Sequence, residues 1–232
     1  SWEVRARQRM EEARRLFDSH HYAAAEALLS NILQAGAIST ALQTTVREWI
    51  GLARGFDTWD RFDHARALAI LTPYQSRIVP NFIFLKQITG ADKRSTGYEG
   101  GFDLLRNAER RAIQGRYDDA VARLYRACEL LAQTRLQQRT PALSSGSLDV
   151  TLLPEELRPA YESLRDPGDR RIRLGLRQGY ELLVALDDPV GKVYQRVEKV
   201  LLNGLSARNN SILAHGGTPL TDSQYRTFAE VV

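Results

Sequence analysis

Apolar residues recur every three to four positions through almost the whole chain, and no convincing run of alternating β-branched residues appears. The first period is that of an amphipathic helix and the missing one that of a strand, so the pattern predicts an all-α fold. The nearest strand candidate is Ile78 to Ile88, whose Asn81-Phe82-Ile83-Phe84-Leu85-Lys86 fits a buried helix as well. Turn signals fall at Thr89-Gly90-Ala91-Asp92, at Pro141 to Gly146 and at Asp166-Pro167-Gly168-Asp169. They divide the chain into an N-terminal helical region over 1–95 and a C-terminal helical domain over 96–232.

Three short segments share a pattern: His21-Tyr22-Ala23-Ala24-Ala25-Glu26-Ala27-Leu28-Leu29, Arg61-Phe62-Asp63-His64-Ala65-Arg66-Ala67-Leu68 and Arg116-Tyr117-Asp118-Asp119-Ala120-Val121-Ala122-Arg123-Leu124. Each sets an aromatic after a turn, a small residue three positions on and an aliphatic three or four beyond that. The second helix of a tetratricopeptide-like hairpin begins this way, its aromatic packing on the preceding helix and its alanine allowing close approach. Their spacings, 40 and 55 residues, are irregular, so they predict helical hairpins and not a repeat array. In the C-terminal part the pattern predicts helices over Phe102 to Gln114, Tyr117 to Gln138, Leu174 to Leu186 and Lys192 to His215. Gly115 breaks the first pair, and Gly216-Gly217 ends the last helix. Pro154 is placed to open a short helix. The chain starts at Ser1 and stops at Glu230-Val231-Val232 as if within a helix, so it reads as a piece of a longer protein.

Composition narrows the function classes. At 232 residues, 43% hydrophobic and 26% charged, the chain can bury a proper core. It carries no long uncharged apolar run, and its charged start is unlike a secretory signal, so a cytoplasmic protein that does not enter a membrane is expected. The single cysteine, Cys128, sits in an apolar helical pattern and reads as a small buried hydrophobe. His20, His21, His64 and His215 are scattered with no cysteine cluster beside them, so no metal site is expected. The net charge of +4 permits an RNA partner without arguing for one, and the excess of 28 Arg over 4 Lys is weak support at best.

The candidate chemistry lies in Arg208-Asn209-Asn210-Ser211-Ile212-Leu213-Ala214-His215. Seven positions on a helix return two side chains to one face, two turns apart. An arginine grips phosphate through a forked, permanently charged donor, and a histidine moves protons near neutral pH, so the pair suits phosphodiester chemistry. Asn209 can orient a phosphate or ribose, and at a helix C-terminus the dipole favours the imidazolium form of His215, a ready general acid. Spacing alone does not decide, because Arg14 and Arg15 stand in the same relation to His20 and His21. The residues equally allow a structural reading, with His215 capping its helix and Arg208 paired to a carboxylate such as Glu129.

A run of blocks in order favours the chemical reading. From about Gly97 to Gly217 the sequence resembles the HEPN domain of the type III CRISPR ancillary ribonucleases. The resemblance rests on Leu105 to Arg111, Gly115 to Arg126 with Glu129-Leu130, Leu174-Gly175-Leu176, Tyr180 to Leu183, Asp188 to Lys192 and Arg208 to Gly216. It implies an all-α HEPN-like bundle that dimerises so that Arg208 and His215 of both protomers line one cleft. It further implies cleavage of single-stranded RNA without metal or other cofactor, the 2′-hydroxyl attacking the adjacent phosphate to leave a 2′,3′-cyclic phosphate. In that scheme His215 manages protons, Arg208 stabilises charge and Asn209 completes the catalytic set. Asn210, Ser211 and Glu129 position substrate, with Glu129 orienting Arg208 from the facing helix; DNA is not an expected partner. Such proteins usually carry a CARF domain that binds cyclic oligoadenylate. Residues 1–95 lack its strand and glycine-loop character, so that activator is expected only through a domain absent from this chain. The competing reading is a non-catalytic helical module that binds a protein or a nucleotide.

Overall fold

The computed structural model describes residues 2–36, 38–209 and 217–232, except the side chains of Leu205, Ala207, Arg208 and Asn209. Among the described residues no strand is present, in keeping with the all-α expectation. The chain forms two compact units, 1–96 and 97–232.

The first unit contains α1 (Trp2–Asp18), α2 (Tyr22–Gln34), α3 (Thr40–Asp60), α4 (His64–Leu71), a 3₁₀ turn (Thr72–Arg77) and α5 (Val79–Ile88). The ambiguous segment from Ile78 is thus a helix, with Pro80 in its first turn, where a proline leaves no bond unmade. Caps mark the starts: Ser39 Oγ accepts the Leu42 N–H at 3.4 Å and Asp63 Oδ1 the Arg66 N–H at 3.2 Å. Ala6, Met10 and Ala13 of α1 pack with Leu29 and Ile32 of α2 and with Leu42 and Val46 of α3. A second cluster gathers Leu52, Trp59, Ala67, Leu71 and Leu85.

The second unit holds α6 (Glu99–Ile113), α7 (Tyr117–Gln137), a 3₁₀ turn (Val150–Leu152), α8 (Arg158–Glu162), α9 (Leu176–Ala185), α10 (Pro189–Asn209) and α11 (Asp222–Ala229). Its core is continuous, from Val121 and Leu124 of α7 through Leu182 and Leu183 of α9 to Leu201 of α10 and Phe228 of α11. Three sequence expectations need correction. The short helix α8 is opened by Pro159, because Pro154 accepts the Leu157 N–H within a turn of its own. The long helix begins at Pro189, three residues before Lys192, since proline fits its first turn. Glu230 to Val232 follow α11 and do not belong to it.

One turn geometry joins four helix pairs directly, and a further copy ends α5, where Gly90 has φ of 70° and the Ala91 N–H reaches the Lys86 carbonyl at 2.8 Å. His20, Phe62, Gly115 and Asp187 all adopt positive φ, at 64°, 64°, 72° and 52°. The residue after each donates its N–H back across six residues: His21 to the Leu16 carbonyl at 2.8 Å, Asp63 to Thr58 at 3.2 Å, Arg116 to Arg111 at 2.8 Å and Asp188 to Leu183 at 2.9 Å. This is the Schellman closure, which satisfies the last carbonyls of one helix and reverses the chain into the next. Aligning the first three hairpins on this residue brings Ala25, Ala67 and Ala120 into register, each fully buried, with Leu29, Leu71 and Leu124 four residues later, also buried. The three segments are therefore second helices of hairpins, as their pattern predicts. The register of the middle one is corrected by two residues: Phe62 is the turn residue itself, and Ala65 faces solvent. Tyr22 packs edge-on against Phe17 of the preceding helix, whereas Tyr117 faces Tyr225 of α11.

The fourth hairpin sets the position of α10. Asp188, 1% exposed, accepts the Val190 N–H at 3.0 Å and so caps α10. Its carboxylate also receives Arg135 Nε at 3.0 Å, from the last turn of α7, and Arg139 Nη1 at 2.8 Å, from just beyond that helix. Burial alone raises a carboxyl's pKa. Here the bonds from Arg135 and Val190 and the positive charge of Arg135, with Arg139 adding to them, outweigh burial and hold Asp188 below its ordinary value.

Two outcomes test this frame. Replacing Gly115 with alanine should cost about 1 kcal/mol in chemical denaturation, because its φ is disfavoured for an L residue while an added Cβ would meet nothing within 4 Å. Asp188→Asn should cost about 2 kcal/mol near neutral pH, the partial exposure of both arginines tempering the penalty for breaking a buried pair. A depressed carboxyl pKa stabilises above the ordinary value of about 4, and that stability is lost as pH falls through the folded value. The gap between wild type and variant should therefore close in acid; equal urea midpoints at neutral pH would dismiss the clamp.

Candidate active site

The candidate arginine lies on the last described turn of α10, and the register of that helix is fixed along its length. Near its start, a Cβ on Gly191 would fall 2.6 Å from the carbonyl carbon of Leu183, so α9 and α10 meet backbone to backbone. In its first half Tyr194 stacks on Tyr180 at 4.7 Å, and the Tyr180 hydroxyl donates to the Cys128 carbonyl at 2.9 Å. Near its end, a Cβ on Gly204 would come within 2.5 Å of the Phe228 ring, which is buried against the helix. Helical backbone continues through Arg208 and Asn209. Asn210, Ser211 and His215 lie outside the described residues.

Where the chain is described again, it is tied to α7. The Leu220 N–H donates to Asp118 Oδ2 at 3.0 Å, in the first turn of α7. Thr221 then opens α11 with a reciprocal capping box to Gln224. The candidate segment is thus held on both sides, by Gly204 against Phe228 before it and by Leu220 on Asp118 after it.

Glu129 sits midway along α7, largely buried. Its carboxylate accepts the Tyr125 hydroxyl at 3.2 Å and Arg126 Nη1 at 2.9 Å, both from its own helix. Cys128 is buried, and desolvation pushes its thiol up to about 12, which keeps it protonated and matches the reading of it as a small hydrophobe.

One polar constellation is not among the candidate site residues read from the sequence, although Asn107 and Arg111 fall within the Leu105–Arg111 block. Glu99, Asp103, Asn107 and Arg111 follow one another at four-residue intervals along α6, all buried. Asn107 Oδ1 accepts Arg111 Nε at 3.4 Å and Arg123 Nε from α7, and Arg111 Nη1 also donates to Gln114 at 2.9 Å. Arg123 donates as well to the Asp119 carbonyl at 2.8 Å. Burial lowers the pKa of its guanidinium, against the opposing pull of the Asp119 charge. Residue type alone carries no signal for it, since a polar residue at every turn reads as a solvent face, and burial alone reveals the stripe. Buried polar groups of this kind demand partners, so the stripe fixes the α6–α7 pairing as well as concentrating positive charge near the start of α7.

Among the described residues no group of three or more His, Cys, Asp or Glu is placed to hold a metal ion, and no helix is long and apolar enough to cross a membrane. No curated protein matches the chain. Two family descriptions do. Residues 6–98 match the Csm6 6H domain, which spans α1 to α5. Residues 97–232 match the Csm6 HEPN domain, which takes in the bundle from α6 to α11 and the Arg208–His215 segment. More than half of the chain lies in the second match, and the chain belongs to the Csm6 HEPN family of CRISPR-associated proteins, whose HEPN domain implies a ribonuclease.

Proposed function

We propose that the chain is a metal-independent endoribonuclease that cleaves single-stranded RNA in type III CRISPR antiviral defence. The observation that carries this reading is the HEPN-family match over 97–232, which includes the one segment, Arg208 to His215, equipped for phosphodiester chemistry. The ribose 2′-oxygen attacks the adjacent phosphorus as its proton is taken up. The bond from phosphorus to the 5′-oxygen breaks, and the leaving oxygen receives a proton. The products are a 2′,3′-cyclic phosphate and a 5′-hydroxyl. His215 serves the proton transfers. Arg208 stabilises the charge that builds on the phosphoryl oxygens, fixed electrostatic help of the kind that usually dominates such reactions. Asn209 belongs to the same catalytic set, and Asn210, Ser211 and Glu129 position the substrate. DNA has no 2′-hydroxyl, so it is not a substrate under this scheme.

The candidate site has one histidine per chain, His215, for two proton transfers, which favours a homodimer in which two copies of Arg208 and His215 form one composite site. Cyclic oligoadenylate then acts through a CARF domain outside these residues, and the reaction itself takes no cofactor. A cytoplasmic setting suits this role.

The test is cleavage of a fluorescent single-stranded RNA by the purified protein in EDTA. Arg208→Ala and His215→Ala should each lower kcat by roughly 10²- to 10⁴-fold with the melting temperature unchanged. A substrate with a single 2′-deoxy residue at the scissile position should resist cutting. Cleavage by either variant at the wild-type rate would overturn the assignment.

A further inference from the structure

We infer that the turn and extended segment over 170–177 form a binding track for the phosphate backbone of single-stranded RNA, an inference that rests on the ribonuclease reading above. The segment is flat and one-sided. Ile172, Leu174 and Leu176 are buried, and Arg171, Arg173 and Arg177 alternate with them on the solvent side. Two backbone bonds brace it, the Leu148 N–H to the Ile172 carbonyl at 2.9 Å and the Leu174 N–H to the Ser145 carbonyl at 2.8 Å. Over 171–175, before α9 begins at Leu176, such a conformation spaces Arg171 and Arg173 about 6.6 Å apart on one face. Arg170 joins them from the preceding turn, where its φ is 63°.

The local carboxylates are already engaged. Glu162 holds Arg165, Asp169 holds Arg173 and Glu181 holds Arg177 at 2.7 Å. Asp166 accepts the backbone N–H groups of Gly168 and Asp169, at 2.8 and 3.1 Å. Arg170 and Arg171 are left, among the described residues, with exposed guanidiniums that make no ion pair. Arg170 and Arg171 still feel the charges of Glu162 and Asp169, but with no close ion pair their exposed forks suit a ligand that brings negative charge of its own. No exposed aromatic of this segment offers a stacking platform, so the contact is to phosphate and carries no base preference.

The experiment measures anisotropy of a labelled 2′-O-methyl RNA, which keeps every phosphate and cannot be cut through its 2′-oxygen, across a salt series. Arg170→Ala with Arg171→Ala should weaken binding several-fold and flatten the plot of log K against log salt by about 1.4, two contacts at about 0.7 each for a single strand. Lysine at both positions should restore most of the slope. Removing two exposed arginines elsewhere, Arg5→Ala with Arg9→Ala, should leave it as in wild type. With a cleavable RNA the loss should fall on KM. An unchanged slope in the Arg170/Arg171 variant, or an equal change in the Arg5/Arg9 variant, overturns the track while leaving the ribonuclease reading intact. A wild-type protein that neither binds nor cuts RNA overturns both.

Discussion

The buried carboxylate of Asp188 is the constraint on which the second unit depends. It sits where three helices must agree: α7 supplies Arg135 and the residues just after it Arg139, the turn after α9 presents the carboxylate, and α10 starts from its cap. A charge so deeply enclosed is costly unless it is paired and hydrogen-bonded, and this one is both. Because α10 then runs straight to Arg208, the angle set at Asp188 is carried some twenty residues to the candidate site. Gly191 and Gly204 make the same demand by different means. They let the helix sit against the backbone of α9 and the ring of Phe228 at distances a side chain forbids.

Much of the fold was legible because its signals are local. Helical periodicity gave the class, and Gly115 marked its turn since φ of 72° is ordinary only for glycine. Phe62 and His20 adopt the same conformation with nothing in their chemistry to announce it; only the packing of the flanking helices requires it. That is why the middle hairpin was placed two residues out of register. The Asp188 clamp escaped notice for another reason. Its partners lie 53 and 49 residues earlier, and no local pattern links an aspartate to arginines at that remove.

The candidate site divides along the same line. Arg208 and His215 were conspicuous by residue type and by the glycine pair that follows, and the family match over 97–232 agrees with the blocks that suggested it. Glu129 was named from its helix position, and it proves to be engaged by Tyr125 and Arg126. The polar stripe of Glu99, Asp103, Asn107 and Arg111 needed the structure, since a turn-by-turn run of polar residues reads from sequence as a solvent face.

The four Schellman turns that join paired helices leave three residues between them, one at positive φ flanked by the closing residue of one helix and the cap of the next. Each added or deleted residue rotates a helix by about 100°, which would turn Ala25 and Leu29, or Ala67 and Leu71, away from the core that buries them. These four corners therefore tolerate no insertion or deletion without loss of core packing. Even the long connection from 138 to 157 is pinned at Leu143, Leu148 and Leu153, so added residues are tolerated only at its exposed positions between those anchors.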